Sequence, residues 1–172
     1  GLRRLEYRGY DSAGIILEDN ENSFSLKKTK GKVADLVEIS EQHKAQSHVG
    51  MGHTRWATHG VPSDRNSHPH VSNDGKIAII HNGIIENYDT IKTMLIEKGF
   101  TFSSETDTEV LVNLIQYIID QQKVDFPTAV RYALNEVYGA YAITVMHKDY
   151  PGLLVVGRLG SPLAIGLGDK EY

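Results

Sequence analysis

The chain has 172 residues, 40% of them hydrophobic and 23% charged, and a net charge of −4 at pH 7. These values are typical of a single globular domain with a substantial core, and they argue against a nucleic-acid-binding surface. No apolar run is long enough to cross a membrane, and the chain contains no cysteine, which excludes disulfides and thiolate metal sites within it. We therefore expect a cytoplasmic protein without nucleic-acid or membrane partners.

The first half of the chain predicts a hairpin, a short helix and two further strands. Leu2 and Leu5 have helical spacing and indicate the end of a helix. Apolar residues in short runs between turn signals are typical of strands. In chain order we predict strands Ser12–Leu17 and Phe24–Lys28 around the turn Glu18–Asn22, helix Val33–Ile39, and strands Ser47–Met51 and Lys76–Ile80 around a long loop, Trp56–Gly75.

The second half predicts three helices followed by strands. A helix over Tyr88–Lys98 has Asn87 available as its N-cap and Gly99 as its stop. Thr106 followed by Glu109 is a capping box, and helical periodicity then continues to Ile118. The remaining predicted elements are helix Phe126–Val137 and strands Tyr141–Met146, Leu153–Val156 and Leu163–Ile165. This order predicts an α+β fold with mostly antiparallel sheets.

Three polar clusters stand where predicted elements begin or end, which indicates a site. They are His53–Gly60 (HTRWATHG), His81–Gly83 and Ser104–Glu109. Arg55 could bind a carboxylate through its planar fork or simply form a surface ion pair.

Two of these clusters also have simple structural explanations. Asp107 would be favoured in the first turn of a helix whatever its function. Asn82-Gly83 is a common hairpin turn, but two apolar residues and a helix follow it, so an oxyanion hole is the alternative.

Five histidines fall between positions 53 and 81, which raises the question of a metal site. The chain has no His-Glu-x-x-His helix and no cysteine, and no two of these histidines have ligand spacing on one regular element. We therefore expect no metal site.

Four motifs resemble one family throughout the chain. They are Arg4–Gly14, His53–Gly60, His81–Asn87 and Ser104–Glu109. Their wording and order are similar to those of the glutaminase domains of isomerizing glutamine–fructose-6-phosphate aminotransferases, also called glucosamine-6-phosphate synthases. Other class II amidotransferases share the layout but not the wording of the first two motifs.

The resemblance implies the N-terminal-nucleophile hydrolase fold, a four-layer α/β/β/α sandwich of two antiparallel sheets. It also implies a glutamine-dependent transferase in amino-sugar biosynthesis, on the route to UDP-GlcNAc. In this family an N-terminal cysteine attacks the side-chain amide of L-glutamine, with its own α-amino group as base. The ammonia released converts fructose 6-phosphate to glucosamine 6-phosphate in isomerase domains. No cofactor is implied, and the whole enzyme is expected to be a cytoplasmic homodimer.

The resemblance also implies the role of each site residue. Arg55 would bind the α-carboxylate of glutamine and Asp107 its α-ammonium, while Asn82 and Gly83 would form the oxyanion hole. The remaining implied residues are Thr58, His59 and His68 in the amino-acid pocket, Arg8 near the nucleophile, and Trp56 at the ammonia passage. His53 and His81 are interpreted as core residues or as hydrogen-bonding partners behind the site.

The chain departs from the family pattern because it has no cysteine. We expect a single glutaminase domain, residues 1–172, cut from a longer enzyme at both ends, with the sugar-isomerase domains following, and we expect it to be inactive alone. The alternatives are a non-catalytic glutamine-binding module and the glutaminase domain of another class II amidotransferase.

Overall fold

The computed structural model describes residues 1–19, 23–41, 47–57 and 59–169. Part of the predicted turn Glu18–Asn22, and the predicted site residue Thr58, therefore lie outside the described residues. The strands are β1 Ser12–Glu18, β2 Phe24–Lys30, β3 Gly50–Arg55, β4 His70–Val71, β5 Ile77–Ile85, β6 Gly139–His147 and β7 Leu154–Leu159. The helices are a 3₁₀ helix Leu2–Arg8, α1 Val33–Glu41, α2 Tyr88–Glu97, α3 Asp107–Gln122 and α4 Phe126–Glu136.

The strands form two antiparallel sheets, with strand orders β2-β1-β3 and β4-β5-β6-β7. Side chains of β1 point to both faces of its sheet: Ala13 packs with α1, whereas Ile16 belongs to the cluster between the sheets. In that second cluster, Met51 of β3 meets Ala78 of β5 and Met146 of β6. Helices α2, α3 and α4 cover the other face of the second sheet. The predicted α/β/β/α sandwich is therefore confirmed.

The start of helix α3 is fixed by its N-cap and by the loop that precedes it. Its apolar stripe is buried, as the periodicity predicted. The Thr106 hydroxyl oxygen accepts the Glu109 backbone N–H at 3.3 Å, which is the predicted cap. The Glu109 carboxylate binds the backbone N–H and hydroxyl groups of Ser103 and Ser104 at 2.6–2.9 Å, so it orders the loop before the helix. The start of α3, with Asp107, is thereby held in place.

The prediction that the first two polar clusters follow strand ends is wrong. Strand β3 begins at Gly50 and includes His53–Arg55, and β5 continues through Asn82 and Gly83. In β3, polar His53 and Arg55 occupy buried alternate positions, which conceals the usual apolar alternation.

The Asn82-Gly83 turn is also excluded, because these residues pair with Ala142 and Tyr141 of β6. Gly83 has φ +129°, and a Cβ there would collide with the carbonyl oxygen of Ala140. Its glycine is therefore required by the sheet and not by a hairpin.

Three smaller predictions also need correction. Leu163–Ile165 is not a strand, because no described strand pairs with this exposed segment. Asn87 does not cap α2 with its side chain, which instead binds the Glu136 carbonyl and the Tyr138 N–H. The predicted loop contains the short strand β4. No helix in the described ranges is long and apolar enough to span a membrane.

Candidate active site

A pocket of about 630 Å³ opens where β3, β5 and the start of α3 meet. Its walls include eight of the nine residues implied by the family resemblance; the ninth, Thr58, is not described. These eight are Arg8, Arg55, Trp56, His59, His68, Asn82, Gly83 and Asp107. Residues far apart in sequence therefore meet at one place, which makes this pocket the candidate active site.

Arg55 is buried in the wall of this pocket, so the surface ion pair is excluded. Its Nη2 donates to the carbonyl oxygens of His59 and Gly60. Its Nη1 lies 4.0 Å from the Asp11 carboxylate and has no hydrogen-bond acceptor among the described residues. Burial lowers the pKa of Arg55, while Asp11 and Asp107 oppose this shift. Nη1 is therefore the guanidinium nitrogen whose hydrogen bonds are unused among the described residues, and a carboxylate would suit it.

Asp107 supplies negative charge to the same pocket. It is the first residue of α3 and is only 3% exposed. One carboxylate oxygen accepts the Ile85 N–H at 2.8 Å and lies 3.9 Å from Nδ1 of His81. The other accepts the Thr108 hydroxyl at 3.5 Å. A carboxylate at a helix N-terminus in this pocket is suited to a ligand ammonium group.

Asn82 lies across the pocket on β5, and its side chain is tied to the opposite sheet. His53 Nε2 on β3 is 2.9 Å from Asn82 Oδ1. The amide nitrogen of this exposed side chain is then left for a ligand, with Gly83 next to it in the pocket wall. This arrangement suits a carbonyl oxygen that gains negative charge.

The buried histidines join two threonines that sequence reasoning missed as site residues. Thr108 Oγ1 lies 3.0 Å from His81 Nδ1 and 3.3 Å from His68 Nε2. Thr106 Oγ1 lies 3.0 Å from His70 Nε2. The described residues contain no group of three or more His, Cys, Asp or Glu side chains placed to hold a metal ion. These histidines are thus hydrogen-bonded to the threonines on either side of Asp107.

Burial keeps the histidine cluster uncharged. It lowers the pKa of His53 to about 4 and that of His68 and His70 well below the usual range. Burial also lowers the pKa of His81, although the Asp107 carboxylate opposes this. The pocket wall therefore contains neutral imidazoles at pH 7, beside the charges of Arg55 and Asp107.

Acid should destabilise the fold through this cluster. In the unfolded chain the His53 imidazole has the ordinary pKa of about 6.5, whereas in the folded chain burial lowers its pKa to about 4. The contribution of neutral His53 to the free energy of unfolding is complete above pH 6.5 and is lost as the pH falls towards 4. For His53 alone this loss is about 3 kcal/mol.

The unfolding free energy of the chain, measured in urea at pH 7 and pH 5, should therefore be lower at pH 5. His53→Gln should reduce this difference, whereas His48→Gln, at an exposed position, is the matched control and should preserve it. An identical pH dependence in all three proteins would contradict the assignment to His53.

Arg8 and Trp56 lie at the rim of the pocket and not in its interior. Trp56 is 63% exposed and meets Tyr10 edge to face, with ring centroids 5.5 Å apart. The Arg8 guanidinium lies over the Tyr7 ring, 5.8 Å from its centroid. Both side chains therefore lie at the edge of the pocket.

The loop that brings His68 into the pocket is held by a half-buried lysine that sequence reasoning also missed. Lys28 Nζ on β2 donates to the carbonyl oxygens of Arg65, Ser67 and Pro69 at 3.2, 2.9 and 3.4 Å. Burial lowers its pKa to about 8. A lysine in a strand carries no sequence signal for such a role, because long charged side chains usually face solvent.

Comparison with known proteins identifies the family of the chain. The profile of the family described as "Glutamine amidotransferase domain" matches residues 13–163. The chain is 52% identical over 172 residues to the glutamine–fructose-6-phosphate aminotransferase (isomerizing) of Bacteroides thetaiotaomicron, covering 100% of the chain and 28% of that protein. It is 51% identical over 171 residues to the protein of the same name from Caldanaerobacter subterraneus, covering 99% of the chain and 28% of that protein. The chain thus spans little more than a quarter of the length of these relatives.

Solved structures agree on the fold. Glutamine phosphoribosylpyrophosphate amidotransferase from B. subtilis, complexed with ADP and GMP, superposes with a TM-score of 0.72 at 28% identity, over 86% of this chain and 31% of that one. A structure described as the allosteric regulatory enzyme of purine biosynthesis also gives 0.72, at 30% identity, over 84% of this chain and 31% of that one. By its sequence and its fold, the chain belongs to the glutamine amidotransferase family.

Proposed function

We propose that the chain is the glutaminase domain of an isomerizing glutamine–fructose-6-phosphate aminotransferase. The observation that carries this proposal is the placement of two buried charged groups in one pocket: the Arg55 guanidinium, whose Nη1 makes no hydrogen bond to a described residue, and the Asp107 carboxylate. A free α-amino acid has the two complementary charges, and buried charges need partners. Asn82 then lies where a side-chain amide could be attacked.

The proposed reaction begins with L-glutamine held by its α-carboxylate on Arg55 and by its α-ammonium on Asp107. Thr58, His59 and His68 complete this amino-acid pocket. A cysteine thiol from outside these 172 residues attacks the side-chain amide carbon, with its α-amino group as general base.

The amide oxygen then gains negative charge, which the Asn82 amide and the Gly83 N–H stabilise. Ammonia leaves, and water hydrolyses the thioester to glutamate. Arg8 and Trp56 at the rim would border the nucleophile and the ammonia exit.

The relatives favour fructose 6-phosphate as the acceptor of this ammonia. Identity to the two aminotransferases is 51–52%, whereas identity to the phosphoribosylpyrophosphate amidotransferase is 28%. We place the chain as a single glutaminase domain followed by sugar-isomerase domains, in a cytoplasmic homodimer that makes glucosamine 6-phosphate for amino-sugar biosynthesis. No cofactor forms part of this proposal.

The gene upstream of Gly1 distinguishes this enzyme from a non-catalytic glutamine-binding module. An open reading frame that begins Met-Cys-Gly and leads into Gly1 would supply the nucleophile. A reading frame without a cysteine near its start would favour the binding module.

Arg55→Lys in the complete gene product tests the amino-acid pocket. Lysine keeps the charge but cannot form a bidentate fork on a carboxylate, so the KM for glutamine should rise by roughly tenfold or more, the loss of about one charged hydrogen bond. Synthesis of glucosamine 6-phosphate from added ammonia should persist, because ammonia bypasses this pocket. The measurement is steady-state kinetics with each nitrogen donor.

Lys98→Arg is a matched control, because this residue lies just after α2, outside the pocket. It should leave both activities unchanged. Equal loss of glutamine- and ammonia-dependent synthesis in Arg55→Lys would mean that Arg55 supports the fold and does not bind the substrate.

A further inference from the structure

One hydrogen bond joins the two sheets at the candidate oxyanion hole. His53 Nε2 on β3 is 2.9 Å from Asn82 Oδ1 on β5. His53 is buried, whereas the Asn82 side chain is exposed. A side-chain amide can turn either its oxygen or its N–H₂ group towards the reacting carbonyl, and only the N–H₂ group can stabilise an oxyanion. The orientation of this one amide therefore matters for the reaction.

The neutral imidazole of His53 carries one N–H proton, and the position of this proton selects the orientation of the Asn82 amide. His53 Nδ1 is buried and has no hydrogen-bond partner among the described residues. If Asn82 turned its N–H₂ group towards His53, Nε2 would have to accept, and the imidazole proton would move to Nδ1. That would bury an N–H without an acceptor, which disfavours this orientation. With the proton on Nε2, His53 donates to Asn82 Oδ1 and leaves only a lone pair unpaired.

The His53 ring is held in place by a second histidine, His68. It stacks on the His68 ring with centroids 4.5 Å apart and planes 28° apart. His68 is fixed in turn, because its Nδ1 accepts the His81 backbone N–H at 3.4 Å and its Nε2 faces Thr108 Oγ1 at 3.3 Å. The donor to Asn82 is thus built on rigid elements, as a pre-organised site requires.

We infer that His53 is a positioning residue that donates Nε2–H to Asn82 Oδ1 and so turns the Asn82 N–H₂ group into the pocket. This inference rests on the proposed function, since it gives Asn82 its role in glutamine hydrolysis. His53 itself touches no reacting atom. It acts by excluding the amide orientation that would present an oxygen to the developing oxyanion.

His53→Leu in the complete gene product tests this inference. Leucine retains apolar bulk but removes the donor, so the glutaminase kcat should fall roughly ten- to a hundredfold, less than when the oxyanion donor itself is removed. The KM for glutamine should change by no more than about twofold, because Arg55 and Asp107 still bind the amino acid.

His53→Gln and His53→Asn form a matched pair. The glutamine amide nitrogen can take the place of Nε2, whereas the shorter asparagine places its polar atoms near Nδ1. We expect His53→Gln to retain most of the kcat and His53→Asn to lose it. This pair also decides the question if His53→Leu does not fold. Equal kcat values in the two variants would overturn the inference.

A double-mutant cycle separates this inference from the proposed function. If His53 acts through Asn82, His53→Leu should lower kcat in the wild-type background but cost little more in Asn82→Ala. An equal cost in both backgrounds would show a general structural role for His53 and overturn the inference alone. If Asn82→Ala itself left kcat unchanged, the oxyanion role of Asn82 would be wrong, and the inference would fall with it.

Discussion

Asn82→Ala in the complete gene product is expected to lower the glutaminase kcat by roughly a hundred- to a thousandfold. In the proposed reaction, the Asn82 amide stabilises charge that exists only after the thiol has attacked the substrate. The change should therefore leave the KM for glutamine nearly unaltered, since ground-state binding depends on Arg55 and Asp107. Steady-state release of glutamate at several glutamine concentrations measures both quantities.

Asn135→Ala provides the matched control for this change. Asn135 is exposed on α4, outside the candidate active site, and its replacement should leave kcat and KM at their wild-type values. A raised KM with a normal kcat in Asn82→Ala would instead mean that Asn82 binds the ground state of glutamine. The oxyanion hole would then have to be built from other donors.

Local periodicity was sufficient to predict most of the helices and the first hairpin. Helix α3 has a full apolar stripe and a threonine cap, and both are present in the structure. The hairpin of β1 and β2 was also confirmed, apart from the turn residues outside the described ranges. These elements are set by neighbours in sequence, so a single sequence carries the signal.

The strands that form the site were predicted less well, for a physical reason. The inward positions of β3 after Met51 are His53 and Arg55, because they face a polar pocket and not an apolar core. Strand β5 continues through Asn82 and Gly83 because β6 pairs with it along its whole length. A rule that predicts strands from apolar runs detects neither polar residues at the inward positions of a strand nor pairing with a strand that is distant in sequence.

The sequence identified the charged residues of the site, but it could not show that they act together. Arg55 and Asp107 each had a structural explanation, and only their meeting in one pocket makes them a pair. The network around Thr108 was beyond sequence reasoning, because its histidine partners lie 27 and 40 positions away. Such contacts depend on how the two sheets are packed, and no local pattern records that.

The 172-residue chain is expected to release no glutamate or ammonia from glutamine above the uncatalysed rate. It contains no cysteine, and the proposed reaction needs a thiol. The Thr108 hydroxyl has two histidine neighbours and so resembles an activated nucleophile. Thr108 is, however, 0% exposed. Its hydroxyl also interacts with Asp107 at 3.5 Å, so it is placed to order the wall and not to attack a substrate.

Incubation of the purified chain with glutamine, followed by an assay for glutamate, tests this expectation, with the complete gene product as the positive control. Under the proposed function we expect the chain to bind glutamine weakly, because Arg55 and Asp107 line its pocket. Calorimetric titration should then detect binding without turnover, and Arg55→Lys should weaken it. Glutamate release that persists after all traces of a cysteine-containing enzyme are removed would contradict the thiol mechanism. The nucleophile would then have to be a group other than a thiol, and Thr108→Val would be the first variant to compare with the parent chain.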